Sequence, residues 1–399
     1  MRRVVGVPRD YAWGSSSAIH QLMGTEPDGA PLAELWFGGH PAGPAAVDGE
    51  QEDLGQHIAA DPAGTLGDDV WARFGARLPY LLKLIAPSRP LSLQVHPSIE
   101  RARERFAAED ADGVPRDAPH RNYRDPNHKP ELVFALTTFE AVCGFRAPRR
   151  AAELLADLDA PLAQSLHATL LADPTASGMR SAFTALLDDA SRPGAQEVAR
   201  VVAACEARLA AGSPSPRADR TVGLLAEAYP DDPGVVASLL LNPVTLQPGE
   251  SLFVPAGGVH AYLSGLGVEL MAASDNVLRA GLTTKHIDVP EMLDCVDYVA
   301  APPMRVAPEV FHGATRMFYA PVDDFELSIT TLRDHDCQDG PRPLPGRGPR
   351  VLLCLDGQVV VASTTDSVEL SRGQAAFVRA DDGPLTVHGT GTVVQADVP

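Results

Sequence analysis

Val244-Thr-Leu-Gln-Pro-Gly-Glu-Ser-Leu-Phe-Val-Pro255 runs directly into Ala256-Gly-Gly-Val-His-Ala-Tyr-Leu263. Two short apolar runs flank Pro248-Gly249, a pair suited to a tight turn because proline presets φ and glycine accepts the left-handed region. A second glycine-rich turn, 256–259, precedes the next short run. Strands this short, separated by turns this tight, predict the antiparallel texture of a jelly roll or small barrel. The same texture covers the first 146 residues, with apolar runs at 78–85, 91–95 and 132–136. It returns after residue 307, at 325–332, 350–355, 358–362, 375–378 and 392–396.

Residues 147–240 differ. They are rich in Ala and Leu, and Leu154, Leu155, Leu158 and Leu162 recur at helical spacing. Pro161, Pro174 and Pro193 each suit the first turn of a new helix. The expected fold is therefore mainly β with an α insertion: jelly-roll β-barrels plus a helical domain. Its expected units are 1–146 with 241–306, then 147–240, then 307–399.

With 52 acidic and 33 basic side chains the formal charge is −19, which disfavours a nucleic-acid or anionic-membrane partner. An anionic substrate then needs a local cluster of Lys and Arg. No secretory leader and no bilayer-spanning stretch is legible. Cys143, Cys205, Cys295, Cys337 and Cys354 are scattered and odd in number. They predict a reduced, cytoplasmic chain without a disulfide framework.

Three segments carry candidate chemistry. In Leu91-Ser-Leu-Gln-Val-His-Pro97, alternation puts Ser92, Gln94 and His96 on one strand face and Leu91, Leu93 and Val95 on the other. In Asp125-Pro-Asn-His-Lys-Pro-Glu131, Pro130 favours an extended Lys129, so Lys129 and Glu131 point the same way. His128 reads as a loop residue. In the third segment His260 and Tyr262 share a face, and Glu269 sits inside an apolar strand where an unpaired carboxylate is costly. Arg279 and Lys285 follow as isolated cations that invite an anion. Two imidazoles, a carboxylate and an amide oxygen form a zinc or iron set with positions left open for exchange.

Several stretches resemble the type I phosphomannose isomerase family of the cupin superfamily: Tyr11-Ala-Trp-Gly14, Ala33-Glu-Leu-Trp-Phe-Gly-Gly-His-Pro-Ala-Gly-Pro44, Leu78-Pro-Tyr-Leu-Leu-Lys83, Gln94-Val-His-Pro97, Asn127-His-Lys-Pro-Glu131 and the run 255–288. The resemblance implies one Zn²⁺ per chain, held by Gln94, His96, Glu131 and His260. It implies an active-site arginine at Arg279 and pocket residues at Ser92, Lys129, Tyr262, Glu269 and Lys285. Roles follow as expectations. Arg279, Lys129 and Glu269 are catalytic candidates, while Ser92, Tyr262 and Lys285 bind substrate, Lys285 through phosphate. Arg279 cannot be the base, because a guanidinium stays protonated. The implied reaction interconverts mannose 6-phosphate and fructose 6-phosphate in a monomeric chain, in carbohydrate metabolism or GDP-mannose supply. An iron oxygenase of the same superfamily and a non-catalytic sugar-binding module are the competing readings. Neither accounts for Arg279 and Lys285 beside the donor set.

Overall fold

The structure is a computed structural model describing residues 1–333 and 340–399. Among these residues the strands form three antiparallel sheets of ten, seven and five strands. None closes into a barrel, and helix and strand are nearly equal, about 30% and 29%. The expectation of a mainly β chain is corrected on this point. Its cause lies in short helices read as loops: Leu54–Ala60, Pro62–Leu66, Asp68–Phe74, Ile99–Ala111 and Val289–Cys295. A capping signal was available for the first, where Asp53 and Gln56 satisfy each other's backbone N–H. Ser98 caps Ile99–Ala111 through its hydroxyl oxygen, which accepts the Arg101 N–H.

The helical texture of 147–240 resolves into Pro148–Ala156, Pro161–Ala172, Ala176–Leu187, Ala195–Ala210 and Pro216–Ala228, with a short turn at Gly234–Ala237. Pro148, Pro161 and Pro216 occupy first helical positions, where a missing N–H leaves no bond unmade. The runs 350–355 and 358–362 turn out to be one strand, Arg350–Ala362, with a register shift between Cys354 and Asp356. Cys143, Cys205, Cys295 and Cys354 are free and buried, whereas Cys337 lies outside the described residues.

Period-two alternation stacks the sheets. The strands Tyr80–Ile85, Glu131–Ala135 and Gly267–Ala272 pair in the seven-stranded sheet. One of its faces offers Tyr80, Leu82, Leu84, Leu132, Phe134, Val268 and Leu270 to Phe318, Leu327, Ile329, Val351 and Phe377 of the ten-stranded sheet. Its other face meets the five-stranded sheet, with Ile85, Val133 and Val254 against Phe139, Ala141, Cys143 and Tyr262. The outer face of the five-stranded sheet, including Leu93, Val95, Val142, Ala261 and Leu278, packs under the helices. The N-terminal strand Arg2–Val5 joins the ten-stranded sheet beside Ala375–Val378. Burying so many large apolar side chains is worth roughly 1.5–3 kcal/mol each before chain entropy is subtracted.

One buried acid lies outside any functional cluster. Asp397 Oδ1 accepts the Val398 N–H at 2.8 Å, while Oδ2 has no partner among the described residues. Burial pushes this carboxyl up to about 7, although Arg350 pulls the other way. The folded acid therefore stays protonated where the unfolded one ionises. Its contribution is full below about pH 4 and is lost as pH rises to about 7. Asp397→Asn is expected to gain stability relative to the parent on going from about pH 4 to about pH 8. The gain approaches about 1.4 kcal/mol for each pH unit of the window. Paired denaturation curves at both pH values check this; a difference independent of pH would remove the buried acid as its cause.

Candidate active site

The space between the five- and seven-stranded sheets holds the polar side chains that alternation turned inward. His260 pairs across the sheet with Gln94, and Gln94 in turn with Arg279. These three side chains thus come from adjacent strands. Glu131 opens a strand of the opposite sheet. The strand read as 91–95 begins only at Leu93, and Leu91 packs toward the sheet interface instead.

His96, Glu131 and His260 are almost wholly buried and present their donor atoms within 4.8 Å of one another. His96 Nδ1 lies 2.8 Å from the Asn276 carbonyl, and His260 Nδ1 lies 3.0 Å from that of Gly258. A carbonyl only accepts, so each Nδ1 carries the proton and each Nε2 keeps a lone pair. Both Nε2 atoms are buried without a hydrogen-bond partner. They stand 3.1 and 3.3 Å from the Glu131 oxygens. Lone pairs and a carboxylate converging without a proton between them fit a divalent cation. Burial pushes His96 down to about 4, which keeps it a neutral donor. Burial alone would push Glu131 up, yet the Lys129 ammonium holds it well below the usual carboxylate range. Lys129 Nζ lies 3.0 Å from Glu131 Oε1, and the Tyr262 hydroxyl donates to Oε2 at 3.1 Å. Tyr262, expected on the substrate side, thus has its hydroxyl engaged by Glu131. Gly257 shapes the turn before His260, with φ of 79°. It also donates its N–H to the His96 carbonyl at 2.8 Å, so one turn aligns both imidazoles.

Glu269 belongs to a second buried group. Its carboxylate is 3.1 Å from Lys83 Nζ, which also reaches Glu34 at 3.7 Å and lies 5.1 Å from the Trp36 ring centroid. Burial opposes the charge on Lys83, but Glu269 and Glu34 outweigh it and raise its affinity for the proton. The same reasoning that flagged Glu269 in an apolar strand applied to Lys83 within Leu78-Pro-Tyr-Leu-Leu-Lys83, and it was missed there.

A cavity of about 540 Å³ opens over these groups. Ser92, Gln94, Lys129, Glu131, Tyr262, Glu269, Arg279 and Lys285 all line it, as does the unexpected Arg124. Arg124, Arg279 and Lys285 have no carboxylate partner among the described residues. Burial lowers the proton affinity of Arg279, and Arg124 adds to it. Burial, then Arg279 and Arg124, do the same for Lys285. Three mutually repelling cations in one wall await an anion. His128 sits apart, 2.9 Å from Asp324 of the C-terminal region.

A stacked antiparallel scaffold with a buried metal-capable centre beside a cationic wall defines a candidate metalloenzyme for an anionic substrate. A family model for the type I phosphomannose isomerase catalytic domain matches residues 1–148. Mannose-6-phosphate isomerase of Escherichia coli K12 is 38% identical over 400 residues and 99% of each chain. That of Bos taurus is 32% identical across 94% of this chain and 92% of its own. A crystal structure of the Salmonella typhimurium enzyme bound to fructose 6-phosphate and zinc has a TM-score of 0.88 at 38% identity. The match covers 99% of this chain and 98% of that one. The chain belongs to the type I phosphomannose isomerase family and is an enzyme of the mannose-6-phosphate isomerase kind.

The convergent donors predict uptake of a divalent ion by the purified chain. His260→Ala and Glu131→Ala each delete one donor and are expected to lose most of the bound metal, read by elemental analysis. Stoichiometric metal retained in both variants would place the ion elsewhere.

Proposed function

We propose that the chain interconverts mannose 6-phosphate and fructose 6-phosphate with one zinc ion per chain, held by Gln94, His96, Glu131 and His260. The observation that carries the reading is the pair of unpartnered Nε2 atoms at Glu131, set beneath the cavity that Arg124, Arg279 and Lys285 line. Zinc in this position supplies a Lewis acid that polarises the sugar oxygens. The remaining roles belong to the chain's own side chains. Lys285 and Arg124 hold the phosphate through charged hydrogen bonds. Arg279, one strand from Gln94, stabilises the negative charge that develops as the proton leaves the sugar carbon. Lys129 is the residue that moves the proton between C2 and C1. Glu269 serves through Lys83, whose charge it balances at the cavity wall, and Ser92 contacts the sugar.

The two facing sheets are read here as a cupin jelly roll. The catalytic unit is 1–146 with 241–306, 147–240 is the helical insertion, and 307–399 is a second β-unit. We further infer a monomer, a cytoplasmic location and a role in supplying the GDP-mannose precursor. Among the described residues no helix is long and apolar enough to cross a membrane.

A coupled assay with mannose 6-phosphate tests the reading. Turnover is expected, a chelator abolishes it, and zinc restores it. Turnover that survives complete removal of metal would sink the assignment of the centre. Lys285→Ala is expected to raise KM for mannose 6-phosphate about ten- to a hundredfold, the equivalent of roughly 1.5–3 kcal/mol for a charged hydrogen bond. Arg279→Lys is expected to lower kcat with a smaller effect on KM, because an interaction made mainly in the transition state affects turnover. Both variants keep their metal. Defects confined to KM in both would make Arg279 a second phosphate contact and end its catalytic assignment.

A further inference from the structure

Asn276 is fully buried, and although Asp275 and Val277 line the cavity, Asn276 does not. Every polar group it has is nonetheless engaged. Its carbonyl accepts from His96 Nδ1 at 2.8 Å. Its Oδ1 accepts the N–H of Arg124 at 2.8 Å and that of Asp125 at 3.3 Å. Its Nδ2 donates to the carbonyls of Asp125 and Asn127 at 2.7 and 2.8 Å. Its own N–H donates to Ser274 Oγ, which in turn donates to the Asn127 carbonyl, both at 3.2 Å. The Asp275 N–H adds a bond to Asp125 Oδ2 at 2.8 Å. The clamped segment 124–127 leads within four residues to Lys129 and Glu131.

We infer that Asn276 is a positioning residue of the metal centre: it fixes the direction of the His96 lone pair against the Glu131 carboxylate by joining both segments in one knot. The inference rests on reading the cluster as a metal centre. Two properties make asparagine the fitting residue. Its short side chain offers a donor and an acceptor at once, so it satisfies two backbone N–H groups and two carbonyls together. Its main-chain carbonyl, held still by those bonds, selects the Nδ1–H form of His96 and so aims Nε2 at the site. Aspartate would turn an oxygen onto the Asp125 and Asn127 carbonyls, and alanine would leave the Arg124 and Asp125 N–H groups and the Asp125 carbonyl unmatched, with the Asn127 carbonyl held by Ser274 alone. Metal affinity and the presentation of Lys129 therefore depend on the same side chain, although it touches neither substrate nor ion.

The test uses the full chain as the parent, Asn276→Ala and Asn276→Asp. Zinc affinity is read by competition with a chromophoric chelator. The ring ¹⁵N shifts of His96 are read in metal-free protein near neutral pH. Both variants are expected to bind zinc about 10- to 100-fold more weakly, and their His96 ring to shift from a single Nδ1–H form to a mixture of tautomers. At saturating zinc, kcat for mannose 6-phosphate falls more than KM changes. Asn276→Asp keeps the shape and both acceptor contacts, so it carries the comparison should the alanine variant fail to fold. Zinc affinity and ring shifts equal to the parent's, with only a lower melting temperature, would overturn the inference and leave Asn276 a loop clamp. No zinc uptake by the parent would overturn the metal reading itself, and this inference with it.

Discussion

Glu131 is a carboxylate with 2% exposure, set between two β-sheets. An ionised group so placed persists only if neighbours answer its charge and fill its lone pairs. The answer is assembled from distant parts of the chain. Lys129 arrives from the preceding extended segment and the Tyr262 hydroxyl from the facing sheet, while the bare Nε2 atoms of His96 and His260 beside the carboxylate leave the remainder to a cation. No one segment can satisfy the carboxylate, so the site exists only when the sheets are stacked. Lys83 repeats the pattern with Glu269 and Glu34. The interior therefore contains two compensated polar groups rather than a continuous apolar core. Removing one member of either group leaves a buried charge exposed to a cost of about 3–5 kcal/mol.

Stacking also explains why the chain needs its outer layers. A strand that turns Gln94 or Glu269 inward must anchor its other face in something apolar. Leu93 and Val95 anchor in the helical region, and Val268 and Leu270 anchor against the ten-stranded sheet. The helices and the C-terminal strands thus cover the outer faces of the two sheets that hold the His96, Glu131 and His260 cluster. Both keep water away from the reverse face, and the interior dielectric stays low where the imidazoles and carboxylates meet.

The electrostatics of the cavity run against those of the molecule. A chain with a formal charge of −19 repels anions at a distance, yet Arg124, Arg279 and Lys285 line one cavity without carboxylate partners among the described residues. Partial burial costs Arg279 and Lys285 some of their proton affinity, as it does for any cation drawn away from water. The local field of these cations acts at short range, because salt screens exposed charge within about 8–10 Å.

Much of this was legible in the sequence, for physical reasons. Alternation along 91–97 put Gln94 and His96 on one face, and the cost of a lone carboxylate in an apolar strand singled out Glu269. Proline and glycine marked the turns around His260. Helical spacing marked 147–240. Those signals are local, and local periodicity needs no knowledge of the partner. Three things needed the tertiary structure. Short helices without a side-chain cap, such as Asp68–Phe74, lay hidden because a few residues carry too little periodicity to be seen. Arg124 joined the cavity only through its neighbours, since an isolated cation looks the same on a surface loop as in a cavity wall. The assignment of Glu269 to Lys83 and of the Tyr262 hydroxyl to Glu131 likewise required distances between strands. The sequence by itself determined which residues could bind a metal or an anion, because that is a property of side-chain chemistry. Tertiary structure alone decided which of them meet, because desolvation and pairing depend on what the opposite sheet brings within about 3 Å.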